Sequence, residues 1–355
     1  MTTPTSRTRP SERGAEILGV GLICAVGLRA AAAAVAVRAG LARFQESDTF
    51  DRRGQPFILA RVPRDRLPDL PEGTSLNPFE TLLVRLAAAA AREALPSALR
   101  LPARLPLTLA LPEPPPGLQP LLRDAPCLQH LLEILELTPA FTRTITRGRA
   151  GGLLALADAL AAIEGGEPYA LAIAADSHDE PTLLAALDRE DRVRADGVYD
   201  GYIPGEAGAA VLLAAPGTAA RLGRPLIARL DAVATADEPG HRYSAEPHRG
   251  DGLAAAIRQL FSLHAPGLRA RTVYASLNSE SLFAKEWGVA SIRNHDHLDE
   301  HARLEHPADC LGDTGAASGL LLTALAALEQ QHSAETPTLV WAASDRELRA
   351  ATLLR

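Results

Sequence analysis

Short apolar runs of strand length alternate with helical stretches along this chain. Residues 17–24 (Ile-Leu-Gly-Val-Gly-Leu-Ile-Cys) read as a buried strand and 25–42 as an alanine-rich helix. Residues 57–62 predict a strand. Asn77-Pro78-Phe79-Glu80 has the form of a helix start, with Asn as cap and Pro at the first helical position, for a helix reaching about residue 93. Residues 107–111 predict a strand closed by the stiff loop Pro112-Glu113-Pro114-Pro115-Pro116-Gly117, then 118–137 a helix and 142–146 a short strand. Helices at 149–164 and 313–329 are apolar nearly all round, hence buried. Strands at 169–174, 207–214, 226–235, 271–276, 337–343 and 347–354, with helices at 251–264 and 280–287, complete the rhythm. Strand alternating with helix predicts an α/β sheet covered on both faces.

Composition narrows the class. At 355 residues the chain is long enough for two packed half-domains or one large α/β unit. Apolar residues make up 47% and charged residues 22%, ordinary for a globular protein; aromatics at 4% and a single Met leave the core to Leu, Ala and Val. A net charge of -7, with no basic stripe, argues against nucleic acid. Three separated cysteines, Cys24, Cys127 and Cys310, fit a reducing compartment without disulfides. Residues 17–28 mimic a signal-peptide core, but Glu12, Glu16 and Arg29 spoil it, so no membrane span and a cytoplasmic location are expected. Residues 1–14, rich in Thr, Ser, Arg and Pro, are expected to be disordered.

Two apparent motifs fail. Gly19-Val20-Gly21 lacks the third glycine of a dinucleotide-binding turn, where Cys24 stands instead. His295-Asp296-His297, followed by His301 and His306, matches no common zinc spacing and reads as a polar surface loop. Neither a metal nor a cofactor is expected.

Two other stretches carry more. Asp200-Gly201-Tyr202-Ile203-Pro204-Gly205-Glu206 is turn chemistry feeding a buried strand, with a lone carboxylate at the entrance to the core. Near the C-terminus comes Gly312-Asp313-Thr314-Gly315-Ala316-Ala317-Ser318-Gly319. The first resembles the Asp-Gly-Phe-x-x-Gly-Glu-Gly-Ala segment of the β-ketoacyl synthases, members of the thiolase superfamily. The second resembles their Gly-His-x-x-Gly-Ala-Ala-Gly loop. The resemblance implies a thiolase-like, five-layered αβαβα fold from two similar half-domains, 15–222 and 223–355, with the two buried helices as the central pair.

The same resemblance implies that the chemistry has been lost. The family's nucleophilic Cys sits at a strand-to-helix turn; the matching turn here is Gly148-Arg149-Ala150-Gly151-Gly152, which puts Arg149 in its place. An Arg stays protonated and carries no acyl group. The family's two catalytic histidines fall on Asn278 and Asp313. Gly148, Arg149, Gly151, Glu206, Asn278, Asp313 and Thr314 would line a vestigial pocket. There Arg149 pairs with Asp313 or Glu206, or stays open to an anion, and Glu206 caps local amides.

A closer likeness is to shorter bacterial ketosynthase-like proteins encoded beside type VI secretion effectors. They share the Gly-x-Ala-x-Gly turn, the Asp176-Ser177 pair, Gly201-Tyr202-Ile203-Pro204-Gly205-Glu206-Ala207, Leu277-Asn278-Ser279-Glu280 and Glu286-Trp287-Gly288; Ser279 stands where they have Gly. That likeness implies a non-catalytic accessory, adaptor or chaperone whose partner is a secretion effector or its adaptor. The alternatives are a chain-length-factor-like partner of a ketosynthase, or an acyltransferase with rearranged residues. Ketosynthases pair through a strand near the nucleophile turn, here 142–146, so a dimer with itself or a relative is expected.

Overall fold

A computed structural model describes residues 14–71, 73–96, 99, 101, 102, 104–331 and 337–355. Of the tail expected to be disordered, 1–14, all but Gly14 lies outside the described residues. In chain order the elements are β1 (Ala15–Cys24), α1 (Ala30–Arg38), β2 (Gln45–Phe50), β3 (Pro56–Leu59), α2 (Pro78–Ala94), β4 (Leu107–Ala110), α3 (Asp124–Leu135), β5 (Thr142–Ile145), α4 (Gly151–Glu164) and β6 (Tyr169–Ser177). There follow α5 (Pro181–Arg189), β7 (Glu206–Ala214), α6 (Thr218–Leu222), β8 (Ala228–Asp237), α7 (Asp251–Ser262), β9 (Ala270–Ala275), α8 (Ser281–Arg293) and β10 (Leu298–Glu305). The chain closes with α9 (Ala308–Leu311), α10 (Ser318–Gln330), β11 (Thr338–Ala343) and β12 (Leu348–Leu354).

Ten strands form one sheet in the order β10-β9-β11-β12-β8-β1-β7-β6-β4-β5. Its two five-stranded halves meet where β1, paired with β7 along most of its length, touches β8 only at Ala15, Glu16 and Ile17. Helices α4 and α10 lie between the halves in an Ala- and Leu-built core with β1, β6 and β7. Helix α2 and α3 residues cover the outer face of one half, and α7 and α8 that of the other. The result is the five-layered αβαβα arrangement. The central helices approach so closely that their glycines are obligatory: a Cβ on Gly152 would fall 2.9 Å from Leu320 N, and one on Gly319 2.8 Å from Leu153 N.

Several elements form for the reasons the sequence suggested. Asn77 Oδ1 accepts from Glu80 N (2.8 Å) while Glu80 Oε2 accepts from Asn77 N (2.9 Å), a complete capping box with Pro78 at the first position. Others differ. Helix α1 begins at Ala30 rather than residue 25, because Cys24 and Gly27 close a tight turn through reciprocal backbone bonds. Strand β2 (Gln-Glu-Ser-Asp-Thr-Phe) is polar and pairs only with β3 in a two-stranded ribbon, so it lacked an apolar signature. The histidine-bearing segment is not a loop throughout. His295–His297 is a 3-10 turn whose His297 stacks on Phe261 (4.6 Å), and His301 lies on β10, the polar outer strand parallel to β9. Among the described residues no group of three or more His, Cys, Asp or Glu is placed to hold a metal ion, and no helix is long and apolar enough to cross a membrane.

Candidate functional site

The turn before α4 is a 3-10 turn, Gly148–Ala150, entered through Gly148 at φ +59. Ser344, just beyond β11, holds the turn from outside: its Oγ accepts from Ala150 N (3.0 Å) and donates to Arg147 O (2.5 Å). The turn therefore aims the next side chain, Arg149, inward, where it is 4% exposed.

Arg149 is enclosed by carboxylates. Its Nε donates to Asp313 Oδ2 (2.7 Å) and Nη1 to Asp345 Oδ1 (2.7 Å), while Nη2 lies 3.8 Å from Glu280 Oε2. Phe283 and Tyr202 flank the guanidinium, their ring centres 4.9 and 5.8 Å away. Two more arginines complete the cage. Arg192 donates to Glu280 (Nε to Oε1, 2.9 Å) and to Asp345 (Nη1 to Oδ2, 2.8 Å), and Arg242 Nη2 donates to Glu280 Oε1 (2.6 Å). Asn278 Nδ2 bridges Glu280 Oε2 (2.9 Å) and Asp313 Oδ2 (2.7 Å). Three guanidinium groups face three carboxylates, so the buried charge cancels.

The titration behaviour follows. Burial alone would raise Asp313, but the Arg149 charge, then His178 and the hydrogen bonds from Arg149 and Asn278, outweigh it and hold the carboxyl at about 2. Asp345 is likewise held well below the usual carboxylate range, burial being overcome by Arg149 and Arg192. Burial pushes every thiol upward, Cys24 to about 11, Cys127 to about 12, and Cys310 in the same direction. The cysteines are thus protonated at neutral pH and poor nucleophiles.

The remaining expected pocket residues divide. Asp313 meets Arg149, and Asn278 reaches it only through Asp313 and Glu280. Thr314 Oγ1 pairs with Ser318 Oγ (3.1 Å) at the start of α10, and a Cβ on Gly151 would make only ordinary contact with Ile145 and Ala110. Glu206 is engaged elsewhere and is not an Arg149 partner. It accepts from Val62 N (2.5 Å), Ser177 Oγ (2.8 Å) and Arg64 Nη2 (3.0 Å), fastening the segment after β3 to β6 and β7. It thus caps the Val62 amide. The space left is small. A cavity of about 40 Å³ lies beside Gly148, Arg149, His178 and Asp345, and one of about 20 Å³ beside Asn278, Asp313 and Thr314. Each has room for a few waters at most and not for an acyl chain.

Sequence reasoning missed Arg192, Arg242, Glu280 as a cage carboxylate, and Asp345. Their pairings span 88 and 196 residues for Arg192–Glu280 and Arg149–Asp345, so no local spacing announces them.

No family model and no curated protein matches the chain. Solved structures do. The ishigamide ketosynthase/chain length factor superposes with a TM-score of 0.79 at 15% identity, over 97% of this chain and 99% of that one. A type II polyketide synthase acyl-carrier protein in complex with its ketosynthase bound to the hexaketide, AntDE:AntF, gives 0.76 at 14%, over 97% and 99%. The oxazolomycin ketosynthase domain OzmH KS7 from Streptomyces albus JA3453 gives 0.76 at 15%, over 96% and 74%. At these identities the likeness establishes the fold: the chain has the thiolase-like ketosynthase fold.

Proposed function

We propose that this protein is a non-catalytic ketosynthase-fold subunit that works by binding a protein partner. One observation carries the reading. The position at which the resemblance expects a nucleophile holds a buried guanidinium locked to Asp313 and Asp345. Catalysis of acyl transfer there would need a deprotonated nucleophile and an empty pocket, whereas an arginine neutralised by fixed carboxylates offers neither. An acyltransferase with rearranged residues is disfavoured on the same ground, since the three thiols are buried and protonated.

The partner we favour is a second ketosynthase-fold subunit, in the manner of a chain length factor. The similar structures include a ketosynthase/chain length factor and a carrier protein with its ketosynthase. Strand β5 ends the sheet and offers its outer edge for such pairing. Phe141 O and Ile145 O accept from β4-side amides, so by alternation the Thr142 and Thr144 amides face outward. Ile145 itself points into the core at 4% exposure and so is not a residue of the docking edge. A second class, a type VI secretion effector or its adaptor, is favoured by the Leu277-Asn278-Ser279-Glu280 and Glu286-Trp287-Gly288 motifs, whose Glu280 and Glu286 serve buried ion pairs.

Two measurements test the reading. Intact mass after incubation with acyl-coenzyme A or an acylated carrier protein should be unchanged; a stable adduct on any cysteine would end the non-catalytic reading. Light scattering of the chain, alone and with a ketosynthase subunit from the same genome, should show a dimer that Thr144→Pro abolishes while leaving the fold intact by circular dichroism. A dimer indifferent to that substitution would remove β5 as the docking edge.

A further inference from the structure

Away from the cage, one buried contact is built from two acceptors. Loop 238–250 joins β8 to α7 and carries Arg242 and Tyr243 to the cage rim, where Arg242 donates to Glu280 and the Tyr243 hydroxyl accepts from Arg192 Nη1 (3.2 Å). The loop is tied at its base. Buried Glu238 accepts from Gly240 N (3.3 Å) and Gly252 N (2.8 Å), and His248 Nδ1 lies 2.7 Å from Gly240 O. A carbonyl only accepts, so Nδ1 carries the proton and the neutral ring presents a bare Nε2. That Nε2 stands 4.0 Å from Glu286 Oε2 on α8, and neither atom has a hydrogen-bond partner among the described residues. Glu286 is fully buried, and its other oxygen accepts from Arg349 Nε (2.6 Å). Two lone pairs facing one another make no bond. A single proton lets the two atoms draw together across that gap into a charge-assisted hydrogen bond.

We propose that His248 and Glu286 share a titratable proton that latches loop 238–250 onto α8, fastening the loop in acid and releasing it in alkali. The charged groups around the pair favour this. Glu238 Oε1 lies 4.0 Å from His248 Nδ1 on the loop side, and Arg349 of β12 stands behind Glu286. Asp251, at the start of α7, is already neutralised by Arg293 of α8 (2.7 Å). Arg349 answers Glu286, whereas Glu238 has only backbone amides as hydrogen-bond donors among the described residues, and one added proton offsets its charge. The sign is set by uptake: the contact exists when the proton is bound and is lost as pH rises. Through the loop, the state of this distant pair governs how firmly Arg242 and Tyr243 hold the cage rim. The latch is independent of what the protein binds.

The test uses the full chain and trypsin, which cuts after Arg242 and Arg249, both within the loop. Rates are compared at about pH 5.5 and about pH 8 and are normalised to an unstructured arginine peptide. The wild type should be cut in the loop about tenfold faster at the higher pH, as expected for one lost hydrogen bond. His248→Gln, whose amide donates at any pH, should be slow at both, and His248→Ala fast at both. Equal wild-type rates at the two pH values, or an unchanged pH ratio in His248→Gln, would overturn the latch. If the variants fail to fold, the wild-type ratio still decides. So does the emission of Trp287, which adjoins Glu286 and stacks on the only other tryptophan, Trp341, at 5.4 Å. It should step at the same pH.

Discussion

The cage around Arg149 and the cluster around Glu206 use the same chemistry to different depths. In the first, Arg149, Arg192 and Arg242 oppose Asp313, Glu280 and Asp345, on segments drawn from both halves of the sheet. In the second, Arg61 and Arg64 oppose Asp179 and Glu206 at the side of one half, and Arg64 keeps 39% of its side chain in water. A charge taken fully out of water costs several kcal/mol unless its partners are in place, whereas a half-wet one is rehydrated when a partner is removed. The cage is therefore all-or-nothing and the Glu206 cluster forgiving. An arginine at this buried turn is tolerated only because the whole counter-charge set surrounds it.

Arg149→Ala is the sharpest way to break that contrast. It removes the shared donor of Asp313 and Asp345 and leaves both carboxylates facing Glu280, with Asn278, the Gly315 amide, Arg192 and Arg242 in partial compensation. The expected loss is about 4 kcal/mol, read as a shift of the urea midpoint. An unchanged midpoint would mean that water reaches the cage and that it does not behave as a buried unit.

Acid gives the next largest effect. Asp313 has a folded pKa of about 2, below the ordinary 3.8. Its contribution is thus complete above pH 3.8 and is lost as pH falls toward 2. Nearly two pH units of depression correspond to about 2 kcal/mol. Urea unfolding should show this slope in the wild type below about pH 4, and Asp313→Asn should flatten it while lowering stability at neutral pH. A wild type whose stability falls mainly between about pH 5 and 7 would place the governing titration elsewhere.

How much of this was legible beforehand depends on the range of the interactions. The capping box at Asn77 and Glu80, the apolar central helices and the glycine turns at 148 and 315 are local, and short patterns announce them. Strand β10 was hidden because an outer strand needs no apolar alternation, so Leu-Asp-Glu-His-Ala-Arg-Leu-Glu looks like a solvated loop. The cage was half visible. Arg149 and Asp313 stand at recognisable motif positions, but Arg192 and Asp345 enter through loops whose sequences carry no period. Glu206 shows the reverse case: its motif is conspicuous, yet its partner Arg64 comes from a 3-10 turn 142 residues earlier.

The smallest effect should come from Arg64→Ala, and it is the one that sharpens the comparison. Glu206 would keep the Val62 amide and the Ser177 hydroxyl, and Asp179 would keep Arg61 at 2.7 Å. Solvent would enter along the path the half-exposed guanidinium already occupies. Discounting the pair for that exposure, the expected loss is about 1 kcal/mol, partly screened by salt. The cage variant, by contrast, should respond less to salt, because Arg149, Asp313 and Glu280 are buried and only Arg242 and Asp345 keep about a fifth of their side chains in water. Measuring both midpoints at low and at high salt separates the two cases. A large, salt-insensitive loss for Arg64→Ala would show that the Glu206 cluster is as sealed as the cage, and that exposure of one side chain is a poor guide to how a buried charge is held.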